Sequence, residues 1–131
     1  MLLDGKGLLA LLRPQVKEVD CITLQQRLIK NEPLLLIDIR EEKETQAGYA
    51  TGSLLVPRGI LETKLTSLPE YQALIKTVPS AAQIPLYLMC RSGVRSIFSA
   101  ASLQQMGYQN VYSIAGGFLA WQAQGFDVTR G

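Results

Sequence analysis

Short apolar runs recur along the chain and alternate with segments of helical spacing. The two strongest runs, residues 33–38 and 84–89, are almost wholly apolar, which is typical of strands buried on both faces. Residues 54–56 and 111–114 are weaker runs of the same kind. Strands that alternate with helices at this interval form βαβ units. The pattern therefore predicts an α/β fold with a mainly parallel sheet and helices on both faces.

The segments between these runs carry apolar residues three or four positions apart, which predicts helices. Pro14 is expected to end the first helix, and Pro69 is expected to divide a longer segment into two helices. Gly107 is expected to stop the helix that precedes it. The predicted helices cover about residues 2–12, 24–29, 61–68, 69–75, 96–106 and 118–124.

No repeat, linker or low-complexity tract divides the chain. We expect an N-terminal extension over residues 1–15, containing a short helix, and one domain over residues 16–131. The short helix is expected to dock on the domain, with a membrane or partner anchor as the alternative. Near the N-terminus the longest apolar stretch is residues 8–12, which is too short for a signal sequence or a membrane span.

The cysteine content and the net charge indicate the cellular compartment of the protein and the partners it can bind. Two cysteines are far fewer than a disulfide-stabilised secreted domain uses, so a reducing compartment is favoured and we expect a cytoplasmic protein. We also expect a monomer. The formal net charge is +2 and there is no dense basic stripe, so we expect no nucleic-acid partner.

Histidine is absent from the chain, and its absence excludes several kinds of site. Ser-His-Asp and Cys-His-Asn catalysis both need an imidazole. Two cysteines without a histidine cannot complete a structural zinc site, so we expect no metal site. Any catalysis by this chain must use other residue types.

A cysteine ends one of the predicted buried strands and is followed by a short loop and a helix. Ligands bind at the carboxyl ends of strands in open α/β sheets. The N–H groups of such a loop and of the helix N-terminus can form a cradle for an anion. A thiol held there beside arginines favours the thiolate form. The stretch is Cys90, Arg91, Ser92, Gly93, Val94, Arg95 and Ser96.

The charges near Cys90 favour a nucleophile over a merely buried structural cysteine. Residues 71–126 contain no acidic residue and only three basic ones, and two of these, Arg91 and Arg95, flank the thiol. The alternative for the arginines is that both are solvated loop residues. Cys21 lacks such a setting and is predicted to be a buried structural residue.

The length of the loop distinguishes two chemistries. Arg95 follows Cys90 after four residues, whereas loops of the tyrosine-phosphatase type are one residue longer. A smaller ring of N–H donors fits a terminal sulfur on the cysteine better than a tetrahedral phosphate. The loop therefore favours persulfide chemistry over phosphatase or arsenate reductase chemistry.

Four segments occur in an order and spacing that a known family shares. They are residues 38–41, residues 48–53, the loop at residues 90–96, and residues 107–112 followed by 115–121. Together they resemble the rhodanese, or thiosulfate sulfurtransferase, family in its single-domain form, over about residues 16–130. The chain departs from the family pattern at Tyr49, which stands where the family usually has histidine, and at Ala50-Thr51, which replaces Ile-Pro.

The resemblance implies a rhodanese-like fold with a five-stranded central sheet, and an enzyme that moves sulfane sulfur through a persulfide on catalytic Cys90. Arg91 and Arg95 would bind a small anionic sulfur donor such as thiosulfate. The loop N–H groups from Arg91 to Ser96 would stabilise the persulfide. A thiol or a protein would accept the sulfur, and neither a metal nor an organic cofactor is needed.

The resemblance leaves other functions open. They are a persulfide relay to a protein partner, a non-catalytic rhodanese-like binding module and, less favoured, an arsenate reductase or phosphatase. Asp38 and Arg40 are interpreted as an ion pair that anchors a loop. Phe118 and Trp121 are interpreted as core residues.

Overall fold

Five parallel strands form the central sheet of the protein. A computed structural model describes residues 1–130, and Gly131, which belongs to the predicted domain, lies outside the described residues. The strands are β1 (Lys17–Val19), β2 (Leu35–Asp38), β4 (Leu54–Leu55), β5 (Leu86–Met89) and β6 (Val111–Ile114), in the spatial order β1-β6-β5-β2-β4. The predicted α/β class and five-stranded parallel sheet are confirmed.

A small second sheet pairs β3 (Tyr49–Ala50) with β7 (Val128–Thr129) in antiparallel register. The apolar pattern did not predict either of these strands, because two residues are too few to show an alternation. Their pairing brings the C-terminal segment against the turn after residue 45.

In the described part of the chain, seven helices flank the sheet, together with several short 3₁₀ turns. Pro69 is the first residue of α5 and separates it from α4, as predicted. The first helix ends at Leu12, just before Pro14, as predicted. The helices are α1 (Gly5–Leu12), α2 (Cys21–Ile29), α3 (Glu42–Thr45), α4 (Leu61–Lys64), α5 (Pro69–Leu74), α6 (Arg95–Gln105) and α7 (Gly117–Ala123).

Two apolar clusters cover the two faces of the sheet. Successive residues of a strand point to opposite faces, so Leu35 and Ile37 of β2 belong to one cluster and Leu36 to the other. The first cluster includes the apolar face of α6, and the second includes buried residues of α2 and α7. This is why the residues of β2 and β5 are buried throughout and read as continuous apolar runs.

Helix α6 follows the periodicity that predicted it. Ile97, Ala100 and Leu103 are fully buried at helical spacing. The helix ends at Gln105, and Gly107 follows in the left-handed region with φ +104°. The predicted helix and its stop are therefore confirmed to within a residue.

Helix α1 packs against α6 and the adjoining core through Leu9 and Leu12, while Leu11 stays exposed. The Gln104 side chain adds a hydrogen bond to the Gln15 carbonyl at 3.1 Å. Over residues 1–130, no helix combines the length and the apolarity that crossing a bilayer requires.

Candidate active site

Cys90 lies directly after β5, at the carboxyl edge of the sheet, and is only 1% exposed. Its Sγ accepts a hydrogen bond from the Gly93 N–H at 3.1 Å and lies 3.3 Å from Ser96 Oγ. Ser96 Oγ in turn lies 2.6 Å from Ser113 Oγ on β6, and both serines are fully buried. Hydrogen-bond donors aimed at one atom stabilise negative charge on that atom. The site can therefore stabilise an anionic sulfur.

The loop after Cys90 carries further N–H groups with no partner in residues 1–130. Those at the start of α6 have no intrahelical acceptor, because the first turn of a helix leaves its donors free. Unpaired N–H groups at such a position are suited to hold an anion. The groups belong to Arg91, Ser92, Val94, Arg95 and Ser96.

The N-terminus of α7 holds the loop from behind. The N–H of Phe118 donates to the Cys90 carbonyl at 2.8 Å, and the N–H of Leu119 donates to the Arg91 carbonyl at 3.0 Å. The C=O and N–H of a trans peptide point in opposite directions. These two bonds therefore turn the N–H groups of Arg91 and Ser92 away from α7.

Two glycines make this approach of loop and helix feasible. Gly117 has φ +56°, and a Cβ there would lie 2.5 Å from the Cys90 carbonyl oxygen. Gly93 has φ +94°, and a Cβ there would lie 3.1 Å from both the Gly116 nitrogen and the Ile114 oxygen. Only glycine meets both requirements at these positions without strain.

Arg95 points to a carboxylate that the sequence analysis did not single out. Its guanidinium forms two hydrogen bonds to Glu44 of α3, at 2.7 and 2.8 Å. Glu44 is held in place locally, because it forms a capping box with Glu41 at the start of α3. Arg95 was expected to bind an anion, but its guanidinium is already engaged by the Glu44 carboxylate.

The ion pair also sets the protonation of Glu44. Hydrogen bonds from Arg95 lower the pKa of the Glu44 carboxyl from 4.5 to about 2. Glu44 in turn raises the pKa of Arg95. At neutral pH both partners are charged, so the pair presents little net charge to a ligand.

Replacement of Glu44 with glutamine should lower the free energy of unfolding by about 1–2 kcal/mol at pH 6, a value reduced for the partial exposure of the pair. A carboxyl whose pKa is lowered by folding stabilises the fold above its unfolded pKa and loses that contribution as the pH falls. The difference between the two proteins should therefore shrink between about pH 4.5 and pH 2. Urea unfolding at several pH values measures it.

Glu42→Gln serves as the matched control, because Glu42 is exposed and forms no ion pair within residues 1–130. Its unfolding free energy should stay close to that of the parent across the same range. A Glu44→Gln difference that stays constant with pH would contradict the role of the ion pair.

The predicted ion pair between Asp38 and Arg40 is present and buried. Both carboxylate oxygens accept hydrogen bonds from the Arg40 side chain at 2.9 to 3.1 Å. The guanidinium also donates to the Gly48 carbonyl at 2.8 Å and lies 4.2 Å from the centre of the Phe118 ring. The pair therefore ties the end of β2 to the turn before β3 and to α7.

Arg91 extends into a cleft of about 370 Å³ between α3 and α7, which we call the arginine cleft. A larger groove of about 570 Å³ lies at the opposite edge of the sheet, next to the start of β2, away from both cysteines. Cys90, Arg91 and Arg95 are therefore not among the residues that line the larger groove. Residues that line the arginine cleft include Arg40, Glu44, Arg91, Phe118, Gln122 and Arg130.

The remaining predicted residues take different positions. Ser92 and Val94 are exposed at the loop surface, whereas Gly93 and Ser96 are buried against Cys90. Phe118 and Trp121 are buried in the core, as predicted, and so is Cys21.

Sequence reasoning did not identify Glu44 and Ser113 as partners of the loop. It placed Gly117 before the last predicted helix and within a segment that the family shares, without a role in the site. Ser113 lies in a run that reads as an ordinary strand, and Glu44 is 51 residues from Arg95. The one available signal was the pair Gly116-Gly117 at the start of a helix, where two left-handed residues indicate a close approach of the backbone.

Comparison with known proteins bears on the family and the fold of the chain. The sequence model of the Rhodanese-like domain matches residues 22–124. A sulfurtransferase of Allochromatium vinosum is 31% identical over 113 residues, which are 86% of this chain and 94% of that protein. A rhodanese-like domain protein from Staphylococcus aureus has a TM-score of 0.69 at 23% identity, covering 88% of this chain and 99% of that one.

A second solved structure covers still more of the chain. It is a Rhodopseudomonas palustris protein of unknown function, named a possible tyrosine phosphatase, with a TM-score of 0.78 at 23% identity. The match covers 98% of this chain and 96% of that one. At these identities the two structures support the fold alone, whereas the sequence matches extend to the family. The chain belongs to the Rhodanese-like domain family.

Proposed function

We propose that this protein is a sulfurtransferase that carries sulfane sulfur on Cys90 as a persulfide. The observation that carries the proposal is the position of Cys90 Sγ, which accepts the Gly93 N–H within a loop whose other N–H groups are unpaired in residues 1–130. Such a cradle suits a sulfur anion held on the cysteine. The sulfurtransferase of Allochromatium vinosum supports the same class of reaction.

The donor of this reaction is thiosulfate or a similar small anion. The Cys90 thiolate attacks the outer sulfur of thiosulfate, an S–S bond forms at Sγ, and the bond between the outer and the central sulfur breaks. Sulfite leaves with the bonding electron pair, and the persulfide keeps the single negative charge of the thiolate. The step transfers no proton, so it needs no general base and tolerates a chain without histidine.

The loop residues have separate roles in this proposal. The N–H groups from Arg91 to Ser96 stabilise the persulfide, and the exposed Arg91 side chain attracts the anionic donor. Arg95 contributes its backbone N–H to the group that stabilises the persulfide. Its side chain is paired with Glu44, and this pairing limits the positive charge that it presents to the donor. Ser96 adds a hydroxyl at 3.3 Å from Sγ.

The same ion pair disfavours phosphatase and arsenate reductase chemistry. An arginine that binds a tetrahedral oxyanion uses its planar fork of N–H donors. In Arg95 that fork is already engaged by both carboxylate oxygens of Glu44. Together with the short loop, this favours a sulfur on Cys90 over a phosphoryl or arsenyl group.

The acceptor is a thiol or a protein, and a persulfide relay uses the same chemistry with a different acceptor. We propose that the catalytic unit is a single domain over residues 16–131, that residues 1–15 are an extension carrying α1, and that the protein acts as a monomer. Both described cysteines are free thiols, which suits the reducing cytoplasm.

The test is intact mass spectrometry after treatment with thiosulfate and removal of excess reagent. The protein should gain one sulfur, and addition of cyanide should remove it as thiocyanate. A parallel assay with an aryl phosphate should give only background hydrolysis. Efficient hydrolysis without any added sulfur would replace this proposal with the phosphatase alternative. Absence of both activities would favour the non-catalytic binding module.

A further inference from the structure

A pair of buried serines connects Cys90 to the neighbouring strand β6. Ser113 belongs to β6, where Val111, two residues earlier, packs in the same apolar cluster as Cys90. Residues two apart in a strand point to the same face of the sheet. The Ser113 hydroxyl therefore points into an apolar layer, where a polar group is costly unless it is hydrogen-bonded.

The hydrogen bonds of these serines form a chain that leads to the sulfur. Within residues 1–130, the only hydrogen bond of the Ser113 side chain joins its Oγ to Ser96 Oγ at 2.6 Å. Ser96 Oγ has one further partner there, which is Cys90 Sγ at 3.3 Å. Ser96 and Ser113 are fully buried, and Cys90 is 1% exposed. The chain therefore begins at Ser113, which has no second partner, and ends at Sγ.

The lack of a second partner for Ser113 sets the direction of both hydrogen bonds. A hydroxyl has one proton to donate, and Ser96 Oγ is the acceptor within reach of the Ser113 proton. If that proton turned away from Ser96, a buried donor would be left unpaired, which is costly. Because Ser96 Oγ therefore accepts from Ser113, its own proton is directed to Cys90 Sγ.

We propose that Ser113 is a positioning residue that holds the Ser96 hydroxyl as a donor to Cys90 Sγ, and that this donor accelerates release of the sulfur, a role that rests on the persulfide function of Cys90. Ser96 and the Gly93 N–H then serve Sγ itself. The remaining N–H groups of the loop hold the outer sulfur of the persulfide.

Release of the sulfur moves negative charge onto Sγ. Cyanide attacks the outer sulfur with its electron pair and forms a C–S bond, and the bond between the outer sulfur and Sγ breaks. Thiocyanate departs, and Cys90 Sγ keeps the bonding electron pair as a thiolate, so no proton, oxidant or reductant is needed. The charge on Sγ is greater in the transition state than in the persulfide. A donor to Sγ therefore lowers the barrier of this step.

Loading of the sulfur has the opposite flow of charge. Sγ begins as a thiolate and loses charge as it bonds to the outer sulfur of thiosulfate. A donor to Sγ therefore stabilises the starting state of loading rather than its transition state. Loss of the Ser96 donor should slow release without slowing loading, whereas a general disturbance of the loop would slow both steps.

The test compares Ser113→Thr with Ser113→Val in the full chain, because threonine and valine have nearly the same shape and only threonine keeps the hydroxyl. Intact mass follows loading from thiosulfate, at a pH beyond which the loading rate no longer rises. The thiocyanate formed when cyanide is added to the isolated, loaded protein measures release. Ser113→Val should release sulfur about tenfold more slowly than Ser113→Thr, whereas the two loading rates should agree within about twofold.

A double-mutant cycle tests whether Ser113 acts through Ser96. Ser113→Ala alone should slow release about tenfold, and in a Ser96→Ala background it should cause no further loss. Ser99→Ala is the matched control, because Ser99 is also buried in α6, three residues after Ser96, and its hydroxyl forms no hydrogen bond within residues 1–130. This control should load and release sulfur as the parent does.

The outcomes separate this role from the persulfide function. Failure of the parent to load sulfur would overturn the persulfide function itself. Equal release rates for Ser113→Thr and Ser113→Val, or equal losses in loading and release, would overturn only the role of the hydroxyl. Independent losses in the Ser96→Ala background would show that Ser113 does not act through Ser96. If the methyl group that threonine and valine add prevents folding, the alanine cycle decides by the same criteria.

Discussion

Replacement of Cys90 with serine is expected to abolish sulfur transfer, with a loss of at least about 1,000-fold and no added sulfur after thiosulfate treatment. A hydroxyl is not ionised at neutral pH and cannot form a persulfide. It can still accept the Gly93 N–H and hydrogen-bond to Ser96, as the thiol does. The variant should therefore fold, which circular dichroism and urea unfolding can check.

Cys21→Ser is the matched control. Burial, with a smaller contribution from the Asp20 carboxylate, raises the pKa of the Cys21 thiol to about 11, so this cysteine is protonated at neutral pH. Its Sγ donates to the Gly117 carbonyl at 3.5 Å, and a serine hydroxyl can replace that donor. Cys21→Ser should still load one sulfur. Sulfur on the Cys90→Ser protein would mean that Cys90 is not the carrier.

Replacement of Gly117 with alanine is expected to lower kcat/KM by about 100-fold, because displacement of catalytic groups by about 1 Å can cost that much. The new Cβ would lie 2.5 Å from the Cys90 oxygen and 2.6 Å from the Arg91 oxygen, so the loop or α7 must move. That movement would lengthen the two bonds that orient the loop. Steady-state transfer from thiosulfate to cyanide measures the effect.

Gly125→Ala separates this clash from ordinary backbone strain. Gly125 also has a positive φ, +74° against +56° for Gly117, but a Cβ there would have no neighbour within 4 Å. Both variants should lose about 1–2 kcal/mol of stability from the left-handed conformation. Only Gly117→Ala should also lose activity. Similar activities for the two variants would show that α7 does not hold the loop in a catalytic position.

Much of the architecture could be predicted from local patterns. The runs at β2, β5 and β6 are mostly apolar because both faces of the sheet are covered. Burial on both faces can therefore be recognised from the residue types alone. The boundary between α4 and α5 followed from Pro69, whose missing N–H and fixed φ act on its immediate neighbours. The strands β3 and β7 were missed, because they are stabilised by pairing with each other more than by their own residues.

The candidate site was predictable in part. A cysteine at the end of a buried strand, followed by glycine and a helix, indicates an anion cradle wherever it occurs. Nothing local, however, indicates that Arg95 is engaged by a carboxylate of α3. The sequence analysis therefore treated Arg91 and Arg95 as equivalent. Of these two, only Arg91 lines the arginine cleft, and it forms no ion pair within residues 1–130.

The sequence by itself determined the class of the fold, the strands β2, β4, β5 and β6, and the cysteine that follows β5, because hydrophobic periodicity, proline and glycine act over a few residues. Only the tertiary structure decided which groups meet at that cysteine. Glu44 reaches Arg95, and Arg130 reaches Ala47, across 51 and 83 residues of chain. Such contacts depend on how separate βα units pack against each other. Hydrogen bonds form only when the donor and acceptor atoms lie within about 3 Å, and no pattern of residue types specifies positions that finely.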